Sequence, residues 1–161
     1  MTRYARGFSL IELMICLAIS AAIGAYAWPT YQEYSRRGHR ATLVATLLQA
    51  ANYLEQASRE TGRGPNEGAC PTLPAGLARS PPHGAIDYRI TVNCERSSRG
   101  GDYVLQAHPV AGARMAGDTR CGIFELDARG RRRNLLGARR DQQGAQDKRD
   151  DRDIAYCWEG R

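Results

Sequence analysis

The stretch Phe8–Trp28 (FSLIELMICLAISAAIGAYAW) contains a single charged side chain, Glu12. As an α-helix it is about 30 Å long, the thickness of a bilayer's hydrocarbon core. An apolar cylinder of this kind must be surrounded by lipid or by other apolar helices. The seven residues before it carry Arg3 and Arg6 and no acid. By the positive-inside rule they hold the N-terminus in the cytoplasm and send the chain beyond Trp28 outward.

Three readings compete for this segment. A secretory signal peptide has a shorter apolar core, about 7–15 residues, followed by a small-residue cleavage site. A plain single-pass anchor accounts for length and orientation but gives Glu12 no task. A carboxylate within a bilayer is costly and ordinarily marks a function. The third reading uses every feature. Gly7-Phe8-Ser9-Leu10-Ile11-Glu12-Leu13, behind a short basic leader and ahead of a full membrane span, resembles the class III signal of type IV prepilins.

That resemblance implies that a membrane prepilin peptidase cuts between Gly7 and Phe8 and methylates the new Phe8 amine. It further implies that subunits assemble through this helix into a filament. Glu12 lies one helical turn past Phe8, so it can pair with the Phe8 amine of a neighbouring subunit. Neither charge then stays alone in an apolar core, and the pair sets the axial register.

Pro29 follows the span directly and predicts a kink or local melting, because it lacks an N–H and crowds the preceding turn. The family often has a proline here, which makes Pro29 an assembly residue by resemblance. Tyr26, Trp28 and Tyr31 suit the outer membrane interface. From Thr30 to Thr61 the chain reads as an amphipathic helix. Leu43, Leu47, Ala50 or Ala51, Leu54 and Ser58 form its stripe, widened by Val44 and Leu48, while Arg36, Arg37, Arg40, Gln49, Glu55 and Arg59 occupy the rest. Gly62-Arg63-Gly64-Pro65 ends it.

Beyond it, alternation predicts strands over Ala85–Cys94, Asp102–His108 and Thr119–Asp127, with turns at Ser98–Gly101 and Ala128–Gly130. Short connections make an antiparallel meander. The expected class is α+β: a long N-terminal helix whose second half packs on an antiparallel sheet, which is the type IV pilin fold. The expected divisions are a leader at 1–7, a membrane and filament-core helix at 8–28, an amphipathic helix at 29–62, and a β head with a disulfide-bounded C-terminal loop at 63–161.

Cys16 lies in the apolar segment, and Cys70, Cys94, Cys121 and Cys157 lie beyond it. No C-x-x-C occurs, which removes the main support for zinc-ribbon or thioredoxin-like chemistry. Four separated cysteines past a membrane segment suggest two disulfides in an oxidising compartment, with three pairings open to sequence. Cys121-Gly122 and Cys157-Trp158 resemble a minor-pilin pattern, which implies a Cys121–Cys157 bridge; Cys70 and Cys94 can then pair separately, joining the helix-to-sheet loop to the end of the first strand.

The net charge is +6, carried almost wholly by arginine, since Lys148 is the one lysine. Residues 129–153 are dense in both signs and poor in core residues, and read as a flexible extension of the disulfide loop. Some minor pilins bind DNA through a basic strip. The resemblance makes Arg131, Arg132, Arg133, Arg139 and Arg140 the candidates for such a contact. Asp141, Asp147, Asp150, Asp151 and Asp153 follow closely, and no aromatic side chain is interleaved for base stacking.

His39, His83 and His108 fall in no metal or triad motif and are expected on the solvated surface. No cofactor, metal site or enzymatic activity is expected; the chain is the substrate of a peptidase. The implied partners are other pilin subunits, the prepilin peptidase and assembly machinery of the inner membrane, and lipid before assembly. The implied location is the inner membrane for the precursor and an extracellular pilus after assembly. Alternatives are a pseudopilin of type II secretion, a DNA-uptake receptor pilin, and an anchored protein unrelated to filaments.

Overall fold

The computed structural model describes residues 9–61, 70–94, 103–135 and 147–160. It comprises two units, divided between Ser35 and Arg36. Helix α1 (Leu10–Thr61) runs through both in sequence.

In the first unit α1 is apolar on every face and buries nothing: Leu10 is 76% exposed and Ile23 63%. A helix hydrophobic all round belongs in lipid or among other helices. Two of its hydroxyls are satisfied within the helix, as hydrocarbon requires. Ser20 Oγ donates to the Cys16 carbonyl at 2.8 Å, and Thr30 Oγ1 to the Tyr26 carbonyl at 3.3 Å. The helix continues through Pro29, so the local melting expected there is not found. Helical residues on both sides retain their own bonds, and the missing N–H removes only one.

The second unit is a five-stranded antiparallel meander in chain order: β1 (Arg79–Ser80), β2 (Tyr88–Cys94), β3 (Tyr103–Pro109), β4 (Ile123–Asp127) and β5 (Arg132–Leu135). Its inner face presents Tyr88 and Ile90 from β2, Tyr103, Leu105 and Ala107 from β3, and Phe124 and Leu126 from β4, all buried. Register aligns Ile90 with Ala107 and Ala107 with Phe124, so these side chains form continuous rows. They share one core with Leu43, Leu47, Ala50 and Leu54 of α1. The expected helical stripe is therefore the buried one, with two corrections. Leu48 is 41% exposed, and Arg40, expected on the polar face, is 3% exposed.

β2 and β4 are shorter at their starts than alternation suggested. Before β2, Asp87 turns inward and its N–H bonds to the Ser80 carbonyl. Before β4, Gly122 adopts φ 56° and donates to the Asp118 carbonyl, closing a turn where strand was expected. Residues with φ above zero favour glycine.

Residues 129–153 are not wholly the loop that composition suggested. They contribute β5 and the start of helix α2 (Asp147–Glu159). The β4–β5 turn is built by Asp127, whose Oδ1 accepts from the N–H groups of Arg129 and Arg131 at 3.0 and 2.9 Å, with Gly130 at φ 75°. The apolar residues of α2 lie only in its last turns. Cys157 and Trp158 are buried, and Trp158 meets Phe124 at 5.3 Å between ring centroids. Arg139 and Arg140, like Gly7, Phe8, the helix stop expected at Gly62–Pro65 and the turn expected at Ser98–Gly101, lie outside the described residues.

Candidate functional site

In the first unit the functional candidate is the apolar helix with Glu12 in its first turn, the single acidic residue before Glu33. Exposed Tyr26, Tyr31 and Tyr34 continue the apolar surface toward the end of this unit.

In the second unit both disulfides form as expected, Cys70–Cys94 and Cys121–Cys157, and Cys16 is free. The second bridge fixes α2 to the turn before β4. Asn134 of β5 locks the same corner: its Nδ2 donates to the Cys121 carbonyl at 2.8 Å, and its Oδ1 accepts from Trp158 Nε1 at 2.9 Å.

The basic candidates of β5 and its turn are each engaged. Arg131 Nε meets Asp127 Oδ2 at 2.5 Å, Arg132 Nη1 lies 4.0 Å from Glu159 Oε1, and Arg133 Nη1 lies 3.6 Å from Glu125 Oε1. Arg132 also lies over the Trp158 ring at 5.7 Å. The Asp127 carboxyl is pushed upward by burial, but the hydrogen bonds from Arg131 and Arg129 outweigh this and hold it below its usual range.

On the outer sheet face one row is a hydrogen-bonded ladder. Asn93 Nδ2 donates to Gln106 Oε1, and Gln106 Nε2 donates to Glu125 Oε2, both at 3.1 Å. Glu125 then meets Arg133, so Arg133 spends its charge inside this row.

Sequence reasoning missed a polar cluster between α1 and the sheet. Arg40 forks onto Asp118, and His39 Nδ1 lies 2.9 Å from Asp87 Oδ2. His39 is thus half-buried against a buried carboxylate, not on the solvated surface. Burial pulls the Arg40 guanidinium pKa down, but the bonds and charges of Asp118 and Tyr156 outweigh it and raise it overall. Tyr156 of α2 receives Arg120 at 3.4 Å and Arg40 at 4.8 Å over its ring. Arg40 lies three residues before Leu43, in register with the apolar stripe, and that spacing is the sequence signal of this cluster. Among the described residues no group of three His, Cys, Asp or Glu side chains is placed to hold a metal ion.

An all-round apolar helix ahead of a disulfide-stapled meander sheet that packs on a continuation of the same helix defines a pilin-type subunit. A family model described as "Type IV minor pilin ComP, DNA uptake sequence receptor" matches residues 29–125, and a second, "Prokaryotic N-terminal methylation motif", matches residues 2–28. The first match spans more than half of the chain, which belongs to this family of type IV minor pilins. Such pilins are structural subunits, not enzymes. The chain is 35% identical over 57 residues to "Prepilin peptidase-dependent protein D" of Escherichia coli (strain K12), covering 35% of this chain and 39% of that protein. It thus spans well under half the length of that curated relative. A type IV pilin structure from Shewanella oneidensis is similar at 18% identity and TM-score 0.40, over 67% of this chain and 99% of that one.

Proposed function

We propose that this chain is a minor subunit of a type IV pilus, made as an inner-membrane precursor with a cytoplasmic leader at 1–7. Prepilin peptidase cuts between Gly7 and Phe8 and methylates Phe8. The subunit then joins the filament through α1, with Glu12 pairing with the Phe8 amine of a neighbour. The observation that carries this reading is the helix after Ser9: apolar, unburied and interrupted by one carboxylate in its first turn. The match of residues 2–28 to a methylation motif supports the processing step. Pairing of Glu12 removes the cost of an isolated charge in an apolar bundle, so its main contribution is register.

Mass spectrometry of the protein from cells with active peptidase tests this. The expected N-terminus is methylated Phe8, and Gly7→Val leaves the leader attached. An intact Met1 in the unaltered protein would refute the processing step. For Glu12→Ala, membrane insertion persists and incorporation into sheared filaments falls; unchanged incorporation sinks the register role.

A second reading is DNA capture by the exposed head of the subunit. It is favoured by the match of residues 29–125 to a family described as a DNA uptake sequence receptor. The arginine-borne charge of +6 supplies the electrostatic term that such binding needs.

A further inference from the structure

The outer face of the sheet carries a second row, parallel to the Asn93–Gln106–Glu125–Arg133 ladder. Strand register sets Arg79 of β1 opposite Arg89 of β2, and Arg89 opposite His108 of β3. Their sequence neighbours Ser80, Tyr88, Ile90 and Ala107 are buried, so by strand alternation all three basic residues lie on the outer face. Like charges directly opposite one another destabilise a strand pair. Folding alone therefore gives no reason for this row.

Among the described residues the row also lacks the carboxylate partners found elsewhere. Arg79 turns its Nε and Nη2 to the Pro82 carbonyl, at 3.0 and 2.7 Å, which orders the guanidinium without cancelling its charge. Arg89 is exposed and has no carboxylate partner among the described residues. The nearest acid in sequence, Asp87, is turned inward onto His39. In contrast Arg131, Arg132 and Arg133 each face a carboxylate. The family match that raises DNA binding ends at residue 125, so it contains Arg79, Arg89 and His108 and excludes the Arg131–Arg140 stretch.

We infer that the Arg79–Arg89–His108 row, and not the arginines of β5, is the phosphate-contacting surface for duplex DNA. This rests on the DNA-capture reading above. Adjacent strands lie about 4.8 Å apart, so the row offers three basic groups over roughly 10 Å, set on a rigid sheet. A rigid platform loses little side-chain order on binding. Next along β2, Thr91 and Asn93 already donate to Gln106, so the row's contribution is electrostatic.

The test uses the full chain in detergent micelles and a short fluorescein-labelled duplex of arbitrary sequence, with anisotropy read across a salt series. Arg79→Gln/Arg89→Gln is expected to weaken binding about tenfold or more at low salt and to flatten the slope of log K against log salt by about two. Arg89→Gln alone, which leaves the Arg79–Pro82 contact intact, is expected to flatten it by about one and keeps the test sound if the double variant folds poorly. Arg131→Gln/Arg132→Gln/Arg133→Gln is expected to bind within about twofold of the unaltered chain. If the triple variant loses binding while Arg89→Gln does not, the inference is overturned and DNA capture stands. If the unaltered chain shows no salt-dependent binding, DNA capture itself fails and takes the inference with it.

Discussion

The guanidinium of Arg40 grips the carboxylate of Asp118 with two hydrogen bonds, Nε to Oδ2 at 2.7 Å and Nη2 to Oδ1 at 2.9 Å, and both side chains are 3–4% exposed. The pair joins α1 to the end of the 3-10 turn Arg114–Gly117 at the edge of the core. A bidentate fork is the strongest form such a contact takes.

Breaking this pair from one side leaves a buried charge unmatched. Arg40→Ala or Asp118→Ala is expected to cost about 3–5 kcal/mol of stability. Arg40→Met/Asp118→Leu, which removes both charges, is expected to cost much less than the two single losses combined. Urea midpoints of the three variants in detergent decide this; additive losses would show that the two residues act independently.

Tyr88 carries the opposite situation. Its hydroxyl is fully buried and has no hydrogen-bond partner among the described residues. Burial first, and the negative charge of Asp118 next, push its ionisation well above the usual phenol range. The ring itself packs edge-on to Phe124 at 5.9 Å. Tyr88→Phe keeps the ring and removes the unsatisfied group, so stability is expected within about 1 kcal/mol of the unaltered chain, or above it. A loss of several kcal/mol would show that the hydroxyl is satisfied in solution.

The Cys121–Cys157 bridge closes a loop of sequence separation 36. Cys157→Ala is expected to cost about 3–4 kcal/mol through loop closure. It also frees the corner where Asn134 holds Trp158. In a Trp28→Phe background, Trp158 emission is expected to shift to the red. Unchanged emission would mean that the Asn134 and Phe124 contacts hold α2 without the bridge.

Asp127 sets an acid limb. Its folded pKa lies below the ordinary 3.8, because Arg131 and Arg129 hydrogen bonds outweigh burial. The stabilisation is fully present above the unfolded value and is lost as pH falls through the lowered folded value. Asp127→Asn is therefore expected to be less stable than the unaltered chain at neutral pH, with the gap shrinking in strong acid. Urea midpoints at neutral and strongly acid pH check this, and a constant gap would exclude the carboxylate as its source.

Much of the fold is legible in the residues alone. Period-two alternation locates β2, β3 and β4, and the spacing of Leu43, Leu47, Ala50 and Leu54 locates the buried helical face, because each pattern reflects a single face meeting a single core. The segment after Asp127 is opaque for the same reason. β5 presents Arg132 and Asn134 inward, and α2 reserves its apolar residues for its last turns, so neither shows a period. Their order comes from contacts distant in sequence: the bridge, the Asn134–Trp158 bond and the Asp127 turn.

The N-terminal helix and its demand for apolar neighbours are fixed by the amino-acid order, since an apolar run with one carboxylate is a local property that no tertiary partner alters. Which charges are spent and which remain is a tertiary outcome, because ion pairing depends on where strands and helices bring side chains together. Arg40, expected in solvent, is buried on Asp118, and Arg131, Arg132 and Arg133 are matched by Asp127, Glu159 and Glu125. Arg89 has no carboxylate partner among the described residues, and reading along the chain passes over it, because its basic neighbours Arg79 and His108 reach it only across the sheet.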